Sequence, residues 1–212
     1  MDGLIETRFW LVRHAPVVGQ HGRCYGTTDV DCDTGNETAF AGLARLLPDS
    51  GVWHTTRLSR TKRTAAAIWA AKGKPAPALG LAEDMIEQCF GEWQGRTYAE
   101  IGAYGHGDPA TTHRHWLSMA DIKPAGGESF TEVCARVARA LDGLANTHQG
   151  NDVTVVCHGG TIRAAVACAL ALPPETALSL VIDTLSVTRL DLLAGSGIGH
   201  SWRVGFVNRP PA

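Results

Sequence analysis

Arg13 and His14 are the first residues of the chain whose types and placement could do chemistry together. They directly follow an apolar run at residues 9–12, which predicts a strand buried on both faces, and Pro16 prevents a simple continuation of that strand. The pair is therefore expected at the carboxyl end of a strand, where open α/β sheets bind their ligands. A guanidinium can neutralise an oxyanion and a neutral imidazole nitrogen can attack phosphorus, so the pair indicates phosphoryl transfer. The alternative is a surface cation beside an ordinary loop histidine.

Arg60 follows a second predicted strand. Residues 52–58 have strand character and lead into Ser59-Arg60-Thr61, before an alanine-rich helix predicted over 64–71. Ser59 or Thr61 could cap this helix, and the free N–H groups at its start would favour an anion beside Arg60. A solvated arginine in the first helical turn is the alternative.

His158 follows the clearest predicted strand, which covers residues 152–157. Gly159 and Gly160 come next, before a helix predicted over 162–172. Glycines allow close approach of the backbone and a helix start presents N–H groups, so the arrangement is typical of an anion site. A histidine held there would tend to stay protonated beside a phosphate. A tight turn with an incidental histidine is the alternative.

Two carboxylates, Glu87 and Glu92, stand among apolar and aromatic residues in the segment 86–95. Burial beside Phe90 and Trp93 would raise the pKa of a carboxyl group and make it a usable proton donor near neutral pH. Either glutamate could instead be an ordinary surface residue.

Strands that alternate with helices predict a three-layer αβα fold with a mainly parallel sheet, in which the carboxyl ends of the strands share one edge. The candidate residues could then meet in one cleft. We expect a single domain over residues 1–212, with a small helical lid inserted at about 95–127. Alternating residues at 179–193 and 201–207 predict an antiparallel hairpin at a sheet edge. A long amphipathic helix is predicted after a capping box formed by Ser129 and Glu132.

Composition excludes several classes of function. Lys and Arg number 19 against 21 Asp and Glu, so no broad basic surface for nucleic acid is expected. Six cysteines without paired spacing indicate reduced thiols in a cytoplasmic protein. No signal peptide is recognisable, and no apolar run approaches the ~20 residues of a membrane helix. His106, His113 and His115 match no metal site, so neither a metal nor a cofactor is expected.

Four segments together resemble the signatures of a known family. LVRHAP, RLSRTKRTA, the E-x-x-FGEWQG segment and VVCHGGTIR look like the motifs of the histidine phosphatase superfamily, which has the phosphoglycerate mutase-like fold. They occur in the family's order and span nearly the whole chain. The resemblance implies that His14 is transiently phosphorylated and that Glu87, rather than Glu92, is the proton donor. The residues that it implies for holding the phosphoryl group are Arg13, Arg60 and His158.

Two further segments bear on the substrate. FGEWQG is similar to the phosphatase branch, and CYGTTD resembles the α-ribazole phosphatases of cobalamin synthesis. Ala15 stands where the family usually has glycine, and Pro16 removes one N–H that could meet phosphate. The residues expected to bind substrate are Gln20, Arg23, Tyr25, Gly26 and Gly159, with Arg96, His113, Arg114 and Trp116 as further candidates.

These expectations combine into one hypothesis. The chain is expected to be a metal-independent phosphatase that hydrolyses a small-molecule phosphomonoester through a phosphohistidine on His14, with α-ribazole 5′-phosphate as a candidate substrate. A phosphoglycerate mutase and a non-catalytic protein that binds a phosphorylated ligand are the alternatives. The apolar edge of the hairpin could also pair with a second copy to form a homodimer.

Overall fold

Strands and helices alternate along the chain, of which the computed structural model describes residues 4–20, 22–105, 114 and 116–211, without the side chains of 102–105. The strands are β1 (Ile5–Arg13), β2 (Val52–Thr55), β3 (Leu79–Leu81), β4 (Asp152–Cys157), β5 (Val187–Ala194) and β6 (Trp202–Arg209). The helices are α1 (Glu37–Leu46), α2 (Ser59–Ala71), α3 (Tyr98–Gly105), α4 (Phe130–Thr147), α5 (Gly159–Leu170) and α6 (Pro174–Ala177).

The six strands form one sheet in the order β3-β2-β4-β1-β5-β6. β1 is parallel to β4, and β2 is parallel to both β4 and β3. β5 and β6 are antiparallel to their neighbours and form the predicted hairpin at one edge. Because Arg13 is in register with Cys157, the residues that follow β1 and β4 leave the sheet side by side.

Helices cover both faces of the sheet. Phe9 and Leu11 on β1 pack into a core with α4 and α5, whereas Val12 packs into a second core with α1 and α2. All three side chains are fully buried, and burial of each contributes roughly 1.5–3 kcal/mol. The apolar run at the start of the chain therefore fills two cores at once, and the predicted three-layer αβα fold is confirmed.

The boundaries between β2 and α2 differ from the prediction. β2 ends before the predicted residue 58, and α2 begins before the predicted residue 64. The predicted caps were wrong, because Leu58 occupies the cap position of α2. The Ser59 hydroxyl instead donates to Asp29 Oδ1 at 2.7 Å, and the Thr61 hydroxyl donates to the Leu58 carbonyl oxygen at 2.8 Å.

Other predicted elements are shorter or displaced. The first strand of the hairpin begins at Val187 instead of residue 179, because residues 179–186, after α6, form an irregular segment. The α5 helix starts at Gly159 rather than at residue 162. In the segment predicted to be a lid, α3 is helical as predicted. The described part of the helix predicted over 111–119, namely residues 114 and 116–119, is not helical.

The α4 helix has the predicted capping box. Ser129 Oγ accepts a hydrogen bond from the Glu132 N–H at 3.1 Å, and Glu132 Oε2 accepts one from the Ser129 N–H at 2.9 Å. The helix packs one apolar face into the core and keeps the other polar. Neither α4 nor any other helix in the described part of the chain is long and apolar enough to cross a membrane.

Replacing Ser129 by alanine removes one half of this capping box. We expect Ser129→Ala to lower the free energy of unfolding by about 1 kcal/mol, because a backbone N–H of the first turn loses its acceptor. Urea denaturation measures the change. Ser50→Ala, at an exposed serine outside any helix, is the control and is expected to change stability by less than about 0.5 kcal/mol. An equal effect of both substitutions would contradict the assignment.

Candidate active site

Four buried nitrogen atoms lie together just beyond the carboxyl ends of β1, β2 and β4, without hydrogen-bond partners among the described residues. They are Arg13 Nε, His14 Nε2, Arg60 Nε and His158 Nδ1. The two imidazole rings lie 5.2 Å apart, and the charges of both arginines act on both rings. An unsatisfied buried polar group costs roughly 1–3 kcal/mol, so a cluster of four indicates a site for a polar ligand. Two guanidinium groups at one place suit an oxyanion.

His14 is held in one tautomer. Its Nδ1 lies 2.7 Å from the Ala15 carbonyl oxygen, which can only accept, so Nδ1 carries the hydrogen and Nε2 has the lone pair. The residue is 1% exposed, and burial, followed by the charge of Arg60, lowers the pKa of His14 to about 3. His14 is therefore neutral near pH 7. Its nucleophilic Nε2 has no hydrogen-bond partner in the described part of the chain.

His158 is fully buried and stands edge-on to His14, with an angle of 62° between the ring planes. Its Nε2 lies 3.1 Å from Thr56 Oγ1, which leaves Nδ1 for a ligand. Burial, followed by the charges of His14 and Arg60, lowers the pKa of His158 well below its usual range. The protein's own groups therefore favour the neutral ring. That His158 is protonated beside a phosphate stays a prediction, because it concerns the phosphate-bound state.

Arg60 is fully buried and connects α2 to the loop that follows β1. Its Nη1 donates to the Thr28 carbonyl oxygen and its Nη2 to the Gly26 carbonyl oxygen, both at 2.7 Å. The guanidinium carbon also lies 5.2 Å from the centre of the Tyr25 ring. Arg60 therefore holds this loop with two donors and has Nε and its charge left for a ligand.

Gln94 also holds the loop that follows β1, through hydrogen bonds to Thr27. Its Oε1 accepts hydrogen bonds from the N–H and the hydroxyl of Thr27, each at 2.9 Å. Gly26 has a φ of +46°, and a Cβ at this position would lie 2.5 Å from Gln94 Oε1, so only glycine fits. The CYGTTD and FGEWQG segments therefore form one structural unit beside the site.

Glu87 lies against the start of α5. Its Oε1 accepts a hydrogen bond from the Gln88 N–H at 3.0 Å, and its Oε2 accepts one from the Gly160 N–H at 3.4 Å. A Cβ at Gly160 would lie only 2.5 Å from Glu87 Oε1. Glu92, the alternative proton donor, is exposed, and its carbonyl oxygen accepts a hydrogen bond from Arg96. The structure thus brings Glu87, and not Glu92, to the site.

A cavity of about 330 Å³ adjoins the buried cluster. Its described lining combines three guanidinium groups, one carboxylate and an aromatic wall. The lining residues are Arg13, Cys24, Tyr25, Gly26, Glu87, Phe90, Tyr98, Arg114, Trp116, Leu117, Gly159, Gly160 and Arg163. An oxyanion bound at the buried nitrogens would therefore have space beside it for a small organic group.

The structure separates the predicted substrate-binding residues into two sets. Those in the cavity lining are Tyr25, Gly26 and Gly159, together with Arg114 and Trp116. The described lining does not include Gln20 or Arg23; Arg23 is exposed and donates to the Gly95 carbonyl oxygen at 2.7 Å. Arg23 therefore holds the neighbouring loop instead of lining the cavity, and a contact of Gln20 or Arg23 with substrate stays a prediction. Arg96 likewise donates to the Glu92 carbonyl oxygen, and His113 lies outside the described residues.

Arg163 is a cavity residue that the sequence reasoning missed. It lies on α5, one turn after Gly159, and therefore on the same side of the helix. Its Nε donates to the Leu180 carbonyl oxygen at 2.7 Å, and its guanidinium carbon lies 4.6 Å from the centre of the Trp116 ring. Arg163 is the last residue of the VVCHGGTIR segment. Its four-residue spacing from Gly159 predicts that both face the cavity only when the helix is known to begin at Gly159.

The described residues contain no cluster of three His, Cys, Asp or Glu side chains that could hold a metal ion. His106, His113 and His115 lie outside the described residues. The metal-independent reaction therefore stays a prediction.

Comparison with known proteins finds relatives along most of the chain. The family model described as histidine phosphatase superfamily (branch 1) matches residues 9–204. A metal-independent phosphoserine phosphatase of Arabidopsis thaliana is 33% identical over 163 residues, which are 74% of this chain and 66% of the relative. A glucosyl-3-phosphoglycerate phosphatase of Mycolicibacterium vanbaalenii is 32% identical over 180 residues, which are 79% and 76% of the two chains.

A more distant relative and a solved structure match over more of the chain. An adenosylcobalamin/alpha-ribazole phosphatase of Salmonella typhimurium is 24% identical over 193 residues, which are 89% of this chain and 92% of the relative. The structure of a mycobacterial glucosyl-3-phosphoglycerate phosphatase superposes with a TM-score of 0.79 at 25% identity, covering 96% of this chain and 99% of that chain. Some mycobacterial relatives are much longer, and this chain spans only 30% of their length.

The two buried histidines should make folding stability depend on pH. Unfolded histidine has a pKa of about 6.5, whereas His14 and His158 resist protonation when folded, so the unfolded state binds more protons below pH 6.5. Stability should therefore fall as the pH drops from 6 to 5, by about 1 kcal/mol for each such histidine. We expect His158→Gln to reduce this slope by that amount in urea denaturation at pH 7, 6 and 5.

His200→Gln is the matched control, because His200 is exposed. It should keep the slope of the natural protein. A slope that is unchanged in His158→Gln would contradict the neutral state of His158.

Proposed function

Because the chain belongs to branch 1 of the histidine phosphatase superfamily, we propose that it is a phosphatase that hydrolyses phosphomonoesters through a phosphohistidine on His14. The observation that carries the proposal is the cluster of four buried, unpartnered nitrogens. The two arginine nitrogens and a protonated His158 Nδ1 can donate to the oxygens of one phosphoryl group, and the lone pair of His14 Nε2 can attack its phosphorus. The nearby relatives named as phosphatases support the hydrolytic direction.

In the first proposed step, Nε2 of His14 attacks phosphorus and forms a P–N bond while the ester P–O bond breaks. Burial keeps the lone pair of His14 unprotonated, so no separate base is needed to activate it. Glu87, in its protonated form, donates its proton to the departing oxygen, which leaves as an alcohol. The charges of Arg13 and Arg60 stabilise the negative oxygens of the transferring group.

In the second proposed step, water replaces the alcohol beside the phosphohistidine. Glu87, now a carboxylate, accepts a proton from this water as its oxygen attacks phosphorus. The P–N bond breaks, inorganic phosphate leaves, and His14 returns to its neutral form. His158 contributes through Nδ1, which can donate to a phosphoryl oxygen once the charge of the phosphate has favoured its protonation. The proposed cycle requires no metal ion.

α-Ribazole 5′-phosphate stays a candidate substrate. Its support is the CYGTTD segment, the distant relative named as an alpha-ribazole phosphatase, and the aromatic wall of the cavity, against which a heteroaromatic ring could pack. Conversion of 3-phosphoglycerate into its 2-isomer, without release of phosphate, would favour the mutase alternative. Binding of phosphate without turnover would favour the non-catalytic alternative.

The proton-donor role of Glu87 predicts a loss that depends on the leaving group. Glu87→Gln should lower kcat/KM for an alkyl phosphate by about 10²–10⁴-fold, because an alkoxide must be protonated as it leaves. The loss of kcat/KM for p-nitrophenyl phosphate should be far smaller, because p-nitrophenolate leaves without a proton. The kcat should fall for both substrates, because Glu87 also activates the water that hydrolyses the phosphohistidine. Steady-state phosphate release, measured in EDTA, tests both substrates.

Glu92→Gln is the matched control for Glu87→Gln and should retain activity on both substrates, because Glu92 is exposed. Intact-mass spectrometry of alkali-quenched enzyme should show a phosphoryl adduct that His14→Ala lacks. Absence of this adduct during rapid turnover would overturn the mechanism.

Gly160→Ala tests the placement of Glu87 without changing its chemistry. A Cβ at this position would meet Glu87 Oε1 at 2.5 Å and force the carboxyl group to rotate away. We expect at least a tenfold loss of kcat/KM for an alkyl phosphate and a smaller loss of kcat/KM for p-nitrophenyl phosphate. Gly143→Ala is the control, because a Cβ at Gly143 meets nothing within 4 Å. Equal losses on the two substrates would mean that Gly160 acts only through binding of phosphate.

A further inference from the structure

Arg163 is a cavity cation that the proposed phosphoryl transfer does not use. Two contacts fix it: Nε donates to the Leu180 carbonyl oxygen, and the guanidinium covers part of the Trp116 ring. Arg163 lines the cavity, and these contacts leave its two Nη groups available to donate hydrogen bonds to a ligand there. A guanidinium held in this way loses little further freedom when it binds an anion.

The Arg163 guanidinium lies next to the place proposed for the phosphoryl group. A Cβ at Gly159 would lie 3.3 Å from Arg13 Nε and 3.5 Å from Arg163 Nη1. Both guanidinium groups therefore flank the same glycine. A ligand whose phosphate contacts Arg13 can present a second group to Arg163 if only a few bonds separate the two groups.

The charges of the cavity are unbalanced around Arg163. Among the described lining residues, Glu87 is the only carboxylate, whereas three arginines are present. Within the described part of the chain, the ion pairs involve other arginines and lysines, and none includes Arg163. Burial lowers the pKa of Arg163, and the charge of Glu87 offsets only part of this effect. An anionic group on the ligand would restore that balance.

We propose that Arg163 is a second anion subsite, which binds a carboxylate on the leaving group of the substrate. The planar fork of a guanidinium matches the two oxygens of a carboxylate, and such pairs are among the strongest hydrogen-bonded contacts. Phe90 and Trp116, whose ring centres lie 6.3 Å apart, provide an apolar wall for the short carbon chain between the two anions. The inference rests on the proposed phosphatase activity and deepens it. The preferred substrates are phosphomonoesters with a carboxylate a few bonds from the ester oxygen, and α-ribazole 5′-phosphate, without such a group, is disfavoured.

Two pairs of esters test this subsite, because each pair differs mainly in the carboxylate. They are 3-phosphoglycerate with glycerol 3-phosphate, and O-phosphoserine with O-phosphoethanolamine. For the natural protein we expect kcat/KM to favour the carboxylate ester of each pair by roughly 10- to 100-fold. Arg163→Met should reduce this ratio to near one, and Arg163→Lys, which keeps the charge but loses the fork, should give an intermediate ratio.

The ratio is measured within one preparation, so a change in the amount of folded enzyme cancels. Arg139→Met, at an exposed arginine on α4, is the control and should keep the ratio of the natural protein. A ratio near one in the natural protein, or an unchanged ratio in Arg163→Met, would overturn the subsite. If the substituted proteins do not fold, the kcat/KM ratio of the natural protein for the two ester pairs still tests whether the site prefers a carboxylate. Loss of turnover on every ester, with p-nitrophenyl phosphate included, would instead overturn the phosphatase proposal itself.

Discussion

The hydrogen bond from the His14 N–H to the Cys157 carbonyl oxygen, 3.0 Å long, fixes the relation between the two halves of the site. It continues the parallel pairing of β1 with β4 by one residue beyond the strand end. His14 and His158 therefore leave the sheet from neighbouring strands, and their rings lie in a T-shaped arrangement. A slip of one residue in this pairing would turn one of the two side chains to the opposite face of the sheet.

Burial lowers the pKa of both kinds of base at this position, but the charge that results differs between them. It lowers the pKa of both imidazoles, so they stay neutral, whereas a guanidinium remains charged even after a large shift. The site therefore combines neutral nucleophilic nitrogen with permanent positive charge in a poorly hydrated environment. In water, the same groups would be partly protonated and strongly hydrated, and their attraction for an oxyanion would be far weaker.

The sequence was sufficient to locate the groups that follow strand ends. Arg13 and His158 could be placed because an apolar run, a polar residue and a glycine or proline mark the end of a buried strand. Contacts between segments distant in sequence could not be predicted in this way. The Arg23 side chain turns to the Gly95 carbonyl oxygen, and Arg163 reaches the cavity because α5 begins at Gly159 and not at residue 162. A shift of less than one turn in a helix start thus decides which side chain faces the site.

The attachment of the loop to Arg60 bears on how such a site can change over evolutionary time. Arg60 grips the Gly26 and Thr28 carbonyl oxygens, and every amino acid supplies a carbonyl oxygen. A replacement of a cavity-lining side chain in this loop, such as Tyr25, therefore does not remove the acceptors that position the arginine. Selectivity for new leaving groups can drift in this loop while the phosphoryl-binding charge stays in place. The fold thereby separates the arginine that must be conserved for phosphoryl binding from the loop side chains that can be substituted.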